Sequence, residues 1–298
     1  MARPRKRPPN ANLIDTYDGL APYVQAFADN RLNLLILIGG AGLQKSRQLR
    51  TAVPGDSLWV EGHVTPFQLY IDLYNHRESG NLVVIDDADG LITSRDGIRV
   101  LKCLCQTELT KTIAWHSSAA KLDEQGIPKS FASRNRVCII ANDWHTLDAN
   151  VRALEDRGHL IWFKPSTVEV HRRVKEWFHD VEVHDFIGSH LDLLPFASMR
   201  HYVNALELKL AGMDWKDSLL RQWLSPKRYQ VAKLKLDACF SKEEDRVRAF
   251  VEAGWGSRAT YFRLSESLRG IILEQRGDPK PLLLYPPRDQ EQVPVSTM

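Results

Sequence analysis

The stretch from Leu34 to Ser46 constrains this chain more than any other. Five apolar residues, Leu34-Leu-Ile-Leu-Ile38, run without a polar break into Gly39-Gly-Ala-Gly-Leu-Gln-Lys-Ser46, and Arg47-Gln-Leu-Arg50 follows. A short apolar run rich in branched residues suits a strand covered on both faces. A strand that breaks into a glycine turn, with Lys-Ser opening a helix, forms a loop whose inward-facing N–H groups hold phosphate oxygens. Gly39 and Gly42 permit the tight bend. Gly40, Ala41, Leu43, Gln44 and Arg47 complete the phosphate-contacting segment. Lys45 would reach the β- and γ-phosphates, and the Ser46 hydroxyl would sit on Mg²⁺. The full pattern has glycine immediately before the lysine. Here Gln44 stands there, and its Cβ is expected to crowd the loop and weaken binding.

Further runs of the same kind recur at Ser57–Val60, Leu82–Ile85, Thr112–Trp115, Val137–Ile140 and Leu160–Phe163, separated by helix-length segments. That alternation predicts a parallel α/β sheet with helices on both faces. The run Asn81-Leu-Val-Val-Ile-Asp-Asp87 ends in two carboxylates about forty residues past Ser46. Successive strand residues point to opposite faces, so the two acids have different tasks. Asp86 suits the Mg²⁺ contact and Asp87 the base that polarises an attacking water. Asp89 reads as a helix cap or turn residue.

Past Pro165 the pattern becomes helical. Val170, Val174, Trp177 and Phe178 share one spacing, and Met199, Tyr202, Val203, Leu206 and Leu210 another. Near the end, Glu243–Ala253 places Val247, Phe250 and Val251 on one stripe. Gly254-Trp-Gly-Ser257 then turns the chain, with Ser257 as N-cap. Arg258–Arg269 follows as a second helix burying Tyr261 or Phe262, Leu264 and Leu268. Helix, glycine turn and helix make the helix-turn-helix outline, which would present Arg258, Thr260 and Arg263 to DNA; an ordinary helical hairpin with a charged, solvated face fits the same pattern. The organisation read from these changes is a basic arm over 1–20, a phosphate-loop domain over 21–164 and a helical lid over 165–225. A helix-turn-helix-like domain over 226–276 and an irregular tail over 277–298 follow.

Composition sets the outer bounds. The 298 residues are 43% hydrophobic and carry a net charge of +3, enough for about two domains. No apolar run approaches the roughly 20 residues of a bilayer span, so no membrane partner is expected. The basic start Met1–Pro9 has no apolar segment behind it, which argues against a secretory signal. It reads equally as a phosphate-contacting arm or a solubilising one. Cys103, Cys105, Cys138 and Cys239 form no spaced framework, so a reducing, cytoplasmic location is expected. His171, His179 and His184 lack the partner cysteines of a zinc site.

The order of phosphate loop, acidic strand and helical lid resembles the AAA+ ATPases. The resemblance covers about residues 30–225. It implies an α/β P-loop core with a helical lid, ATP and Mg²⁺ as cofactors, and a homo-oligomer acting on DNA as a helicase, loader or transposition or replication regulator of a mobile-element type. It implies further roles by position. Val137-Cys-Ile-Ile-Ala-Asn142 resembles the sensor strand, with Asn142 near the γ-phosphate. Ala153-Leu-Glu-Asp-Arg157 resembles the segment bearing an arginine finger that reaches a neighbouring subunit, with Arg152 behind Arg157. Pro195-Phe-Ala-Ser-Met-Arg200 resembles the lid-helix start, with Arg200 as second sensor. Much of the family has Asp-Glu where this chain has Asp86-Asp87, and the shorter acid together with Gln44 implies slow hydrolysis. Thr110–Arg136, with Lys121 and Lys129, lies where helicase-like members carry a DNA-touching hairpin, and reads equally as a surface insertion. Two alternatives stay open: a nucleotide-switched DNA-binding protein with little turnover, and a protein-remodelling ATPase with a recruited protein partner.

Overall fold

A computed structural model describes residues 7–78, 82–87, 89–116, 120–144 and 149–268. The first six residues of the basic arm and the whole 277–298 tail lie outside the described residues. The chain divides into two compact units, Met1–Met213 and Asp214–Met298.

In the first unit, strands β1 (Asn12–Ile14), β2 (Leu34–Gly39), β3 (Leu58–Glu61), β4 (Leu82–Asp86), β5 (Lys111–Ala114), β6 (Ser130–Ser133), β7 (Arg136–Ala141) and β8 (His159–Phe163) are interleaved with helices. The helices are α1 (Tyr17–Ala28), α2 (Lys45–Ala52), α3 (Pro66–Asn75), α4 (Asp89–Thr93), α5 (Arg95–Leu104), α6 (Ala120–Glu124), α7 (Ala149–Glu155), α8 (Thr167–Val174), α9 (Val181–Ser189) and α10 (Arg200–Leu210). Six strands form one sheet in the order β1-β8-β2-β7-β4-β3, and every pairing in it is parallel.

Unbroken apolar runs become central strands because both faces are covered. Leu34, Ile36, Ile38, Val83, Ile85, Val137 and Ile139 enter one core cluster with α3 and α5 residues such as Leu69, Leu73, Leu101 and Leu104. The intervening Leu35, Leu37, Val84, Cys138 and Ile140 are just as buried, on the opposite face. There Tyr17 of α1 meets Phe163 edge-on, with centroids 5.1 Å apart. Side-chain caps start several helices: Thr16 accepts from Gly19, Thr65 from Gln68, Ser94 from Gly97 and Ser166 from Glu169.

One apolar run departs from the expected sheet. Thr112–Trp115 does not join it. Instead β5 pairs antiparallel with β6 in a separate two-stranded ribbon. The reason lies in alternation: β5 buries Lys111 and Ile113 and exposes Thr112, the pattern of a strand with one covered face. Trp115 packs on Phe67 and Tyr70 of α3, and the buried Lys111 ammonium donates to the Asn135 carbonyl at 2.6 Å. The ribbon lies within Thr110–Arg136, where Lys129 is exposed. Two elements carry no sequence signal of their own: β1 is three residues long, and α1 holds Pro22 inside it.

The second unit comprises α11 (Trp215–Trp223), α12 (Pro226–Leu236), α13 (Glu243–Glu252) and α14 (Arg258–Glu266). The 165–225 stretch is thus shared between units: α8 to α10 belong to the first and α11 to the second. Trp223, Val231, Phe250 and Tyr261 are buried.

Candidate nucleotide-binding cleft

Gly39 ends β2 where a Cβ would lie 2.7 Å from the Phe163 carbonyl oxygen on the neighbouring strand. Gly42 has φ +75°, and a Cβ there would fall 2.1 Å from Ser198 Oγ. Its own carbonyl accepts the Met199 N–H at 2.8 Å. The segment leading into α10 therefore rests directly on the glycine loop, and only glycine allows that approach. Tyr17 supports the next residue, its hydroxyl donating to the Leu43 carbonyl at 3.3 Å.

Gln44 occupies the position where the phosphate-loop pattern has glycine, and its backbone shows why. It adopts φ 59°, ψ 23°, the left-handed region, where a non-glycine residue costs about 1–2 kcal/mol. Gln44 forms part of the wall of a cleft of about 360 Å³. As N-cap of α2 it makes no side-chain hydrogen bond, so the first N–H groups of that helix keep their capacity for an anion.

Three strand ends meet at this cleft. Lys45 Nζ donates to the Gly39 carbonyl (2.8 Å), the Gly40 carbonyl (2.9 Å) and Asn142 Oδ1 (3.1 Å). Asn142, just past β7, donates through Nδ2 to Asp87 Oδ2 at 2.7 Å. The amide thus links ammonium to carboxylate, with its oxygen toward the cation and its nitrogen toward the acid, the one orientation that satisfies both. Asp87 lies just past β4 with φ 50°, and its N–H donates to the Ile140 carbonyl at 3.1 Å. Asp86 faces the other way and is buried. Its Oδ1 is buried without a hydrogen-bond partner, and the Ser46 hydroxyl is near enough to influence its titration. Burial raises its carboxyl above the usual 3.8, the neighbouring Ser46 hydroxyl opposes that rise, and the negative Asp87 and Glu61 add to it. An orphaned carboxylate oxygen beside a serine hydroxyl is a set of hard oxygen donors, which suits Mg²⁺.

The cleft wall also includes Ala41, Leu43, Arg47 and Arg200. Arg200, exposed at the start of α10, lies close enough to Gly42 for its Cγ to come within 3.2 Å of a Cβ there. Arg157 lies elsewhere. It precedes β8, which runs parallel to β2, so it sits at the opposite end of the sheet, roughly 20 Å from the loop for six residues of strand. Its Nη1 donates to the Lys102 carbonyl at 2.6 Å. Arg152 is exposed on α7. The structure therefore gathers Lys45, Ser46, Asp86, Asp87, Asn142 and Arg200 at one cleft and leaves Arg157 outside it.

Four contributors carry no local motif: Tyr17, Glu61, Trp177 and Met199. Glu61 stands level with Asp86 on the adjacent strand. It is held by Arg50 and by Trp59 Nε1, which donates to it at 2.7 Å. Trp177 and Met199 line the cleft from the α8 and α10 segments. Helical spacing marked both as core. Only their placement opposite the loop makes them part of the site.

In the second unit, α13 and α14 flank the turn at Gly254 (φ +73°) and Gly256 (φ +152°). Ser257 caps α14, accepting from the Thr260 N–H at 3.3 Å. Tyr261 and Leu268 are buried, whereas Phe262 is exposed and Leu264 half-buried. Val251, expected on the apolar stripe of α13, is 43% exposed; the buried stripe passes through Arg246, Val247 and Phe250 instead. Arg258 is exposed but ion-paired with Glu244 and lies over the Phe262 ring at 5.2 Å. Arg263 is exposed. The Thr260 hydroxyl is 3.1 Å from that of Ser257.

No protein-family model matches the chain. Over 121 residues it is 27% identical to an uncharacterised 36.7 kDa protein of Enterobacteria phage T4, a match spanning 38% of this chain and 37% of that protein. The chain therefore spans little more than a third of the relative it matches. Among solved structures it is similar to Cdc6p from Pyrobaculum aerophilum, at 14% identity and TM-score 0.45, covering 93% of this chain and 83% of that one. A DNA replication initiation factor aligns at 14% identity and TM-score 0.38, covering 72% and 65%. Drosophila ORC bound to DNA aligns at 13% identity and TM-score 0.37, covering 89% and 74%. No helix among the described residues is long and apolar enough to cross a membrane.

Proposed function

We propose that the first unit binds ATP with Mg²⁺ in the Gly39–Ser46 cleft, hydrolyses it slowly, and couples that cycle to action on DNA. The observation carrying this reading is the linked set Lys45–Asn142–Asp87 beside the unpartnered Asp86 Oδ1. Lys45 is held on loop carbonyls and Asn142, and an arriving triphosphate competes for the same ammonium. Once Lys45 turns to phosphate, Asn142 Oδ1 is free to accept from water while Asn142 Nδ2 keeps Asp87 oriented as base. Ser46 and Asp86 would hold Mg²⁺, whose charge would offset that developing on the phosphates. Arg200, at the cleft wall, is placed to add positive charge to the transferred group.

DNA action rests on the second unit. Its α13–turn–α14 arrangement leaves Arg258 and Arg263 exposed, residue types that meet phosphates and base edges. Arg258 would exchange its Glu244 partner for phosphate. A homo-oligomer, with Arg157 acting on a neighbouring subunit's nucleotide, is part of the proposal. Its place at the far end of the sheet keeps it from its own chain's cleft.

A nucleotide-driven switch with negligible turnover is the second reading. What favours it is Asp87: a short carboxylate, in the left-handed region, tied to Asn142. ATP turnover measured alone and with single- and double-stranded DNA separates the two. Turnover raised by DNA supports the first. Binding of nucleotide and duplex without turnover supports the switch, and absence of nucleotide binding overturns both.

A further inference from the structure

A second cavity, about 420 Å³, opens alongside α2. Gln44, Arg47 and Trp177 line both it and the phosphate cleft, so the two spaces adjoin across these three side chains. Ala21, Val24 and Ala52 supply an apolar wall. Arg173 on its rim is paired with Glu176 at 2.5 Å and so brings little net charge. Trp177 follows α8 and is braced edge-on by Phe178, with centroids 5.7 Å apart at 88°. The Arg47 guanidinium lies 5.5 Å over the indole ring and, among the described residues, pairs with no carboxylate.

A nucleoside triphosphate with its phosphates at the start of α2 needs a neighbouring space for its base. The adjoining cavity shares three side chains with the phosphate cleft and offers an apolar wall, one large aromatic face and the polar side chains of Gln25, Gln48 and Thr51. A flat cation resting on that face marks where a flat ligand group would lie. Base–aromatic stacking is stronger than an exposed cation–π contact, so a base would displace the guanidinium.

Resting on the nucleotide reading above, we propose that this cavity is the base pocket, with Trp177 as stacking platform and Arg47 as a placeholder that the base displaces into the phosphate cleft. The ring face carries no hydrogen-bond pattern, so the platform discriminates by stacking area. It favours purine over pyrimidine nucleotides.

The test is calorimetric titration of the full chain and its Trp177→Leu and Trp177→Phe variants with Mg²⁺-ATP and with Mg²⁺-tripolyphosphate, each protein's melting curve being recorded alongside. Trp177→Leu is expected to lose about tenfold or more in ATP affinity and to keep its tripolyphosphate affinity within about twofold, consistent with the strength of base stacking. Trp177→Phe, which retains a face, should recover most of the loss. ATP binding by a folded Trp177→Leu at the wild-type level overturns the inference while leaving the phosphate site intact. Should Trp177→Leu fail to fold, Trp177→Phe decides: a selective, smaller loss for ATP supports the platform, and equal losses for both ligands overturn it. A wild-type protein that binds neither ligand overturns the nucleotide reading itself.

Discussion

At the scale of single residues, the site combines a strained backbone with a charge kept in an unfavourable place. Gln44 and Asp87 both hold positive φ without being glycine. Gln44→Gly should relieve the strain at its position, raising stability by about 1 kcal/mol. It should leave Mg²⁺-ATP affinity unchanged or tighter, as thermal melts and titration will measure. Asp86 is the reverse case, a carboxyl whose protonated form the fold prefers. Its raised pKa means that the ionised form costs stability as pH climbs through that value, whereas below the unfolded value both states are protonated and the difference vanishes. Asn resembles the protonated acid. Asp86→Asn should therefore melt higher than wild type at about pH 8, with the gap narrowing as pH falls toward 3.8. Its Mg²⁺-dependent binding should weaken strongly, because a neutral amide lacks the carboxylate charge offered to the cation. A lower melting temperature at high pH would contradict this account of Asp86.

At the scale of elements, the junction between loop and lid segment is the critical contact. Gly42 accepts from Met199 and abuts Ser198, so α10 and the glycine loop move together. Gly42→Ala would strain φ and force Ser198 away, costing at least about 1–2 kcal/mol and weakening nucleotide binding together with stability. Adding Ser198→Ala should recover the steric part and leave the backbone part, which melting curves of the single and double variants will separate. The same scale explains what was legible in the sequence. Central strands such as Leu34–Gly39 and Arg136–Ala141 announce themselves because burial on both faces demands unbroken apolar runs. Lys45, Ser46, Asp86 and Asp87 were readable because strand end and loop place them by local geometry. Thr112–Trp115 misled because a one-faced ribbon strand of four residues differs from a sheet strand only in a single alternation. Tyr17, Glu61, Trp177 and Met199 were silent as site residues because tertiary folding, and no local pattern, brings them to the loop. Gln44 was visible as a departure, but its left-handed backbone was not.

At the scale of the whole molecule, each of the two units carries one half of the proposed activity, nucleotide in the first and DNA in the second. The proposed assembly would supply the remaining part. If Arg157 acts across subunits, a mixture of Arg157→Ala with Asp87→Asn should recover part of the turnover that each variant lacks alone, since mixed interfaces then pair an intact arginine with an intact base. Removing Arg157 also deletes its bond to the Lys102 carbonyl, so a modest loss of stability is expected whether or not the trans role holds. Recovery on mixing is the part that reports catalysis. The most direct measurement of the central claim is titration of Mg²⁺-ATP into the wild-type chain and into Lys45→Ala. The cleft is expected to give saturable binding in the wild type that falls at least about tenfold in the variant, the loss of a charge-assisted contact worth roughly 1.5–3 kcal/mol. Equal binding by both proteins, or none by the wild type, would contradict it.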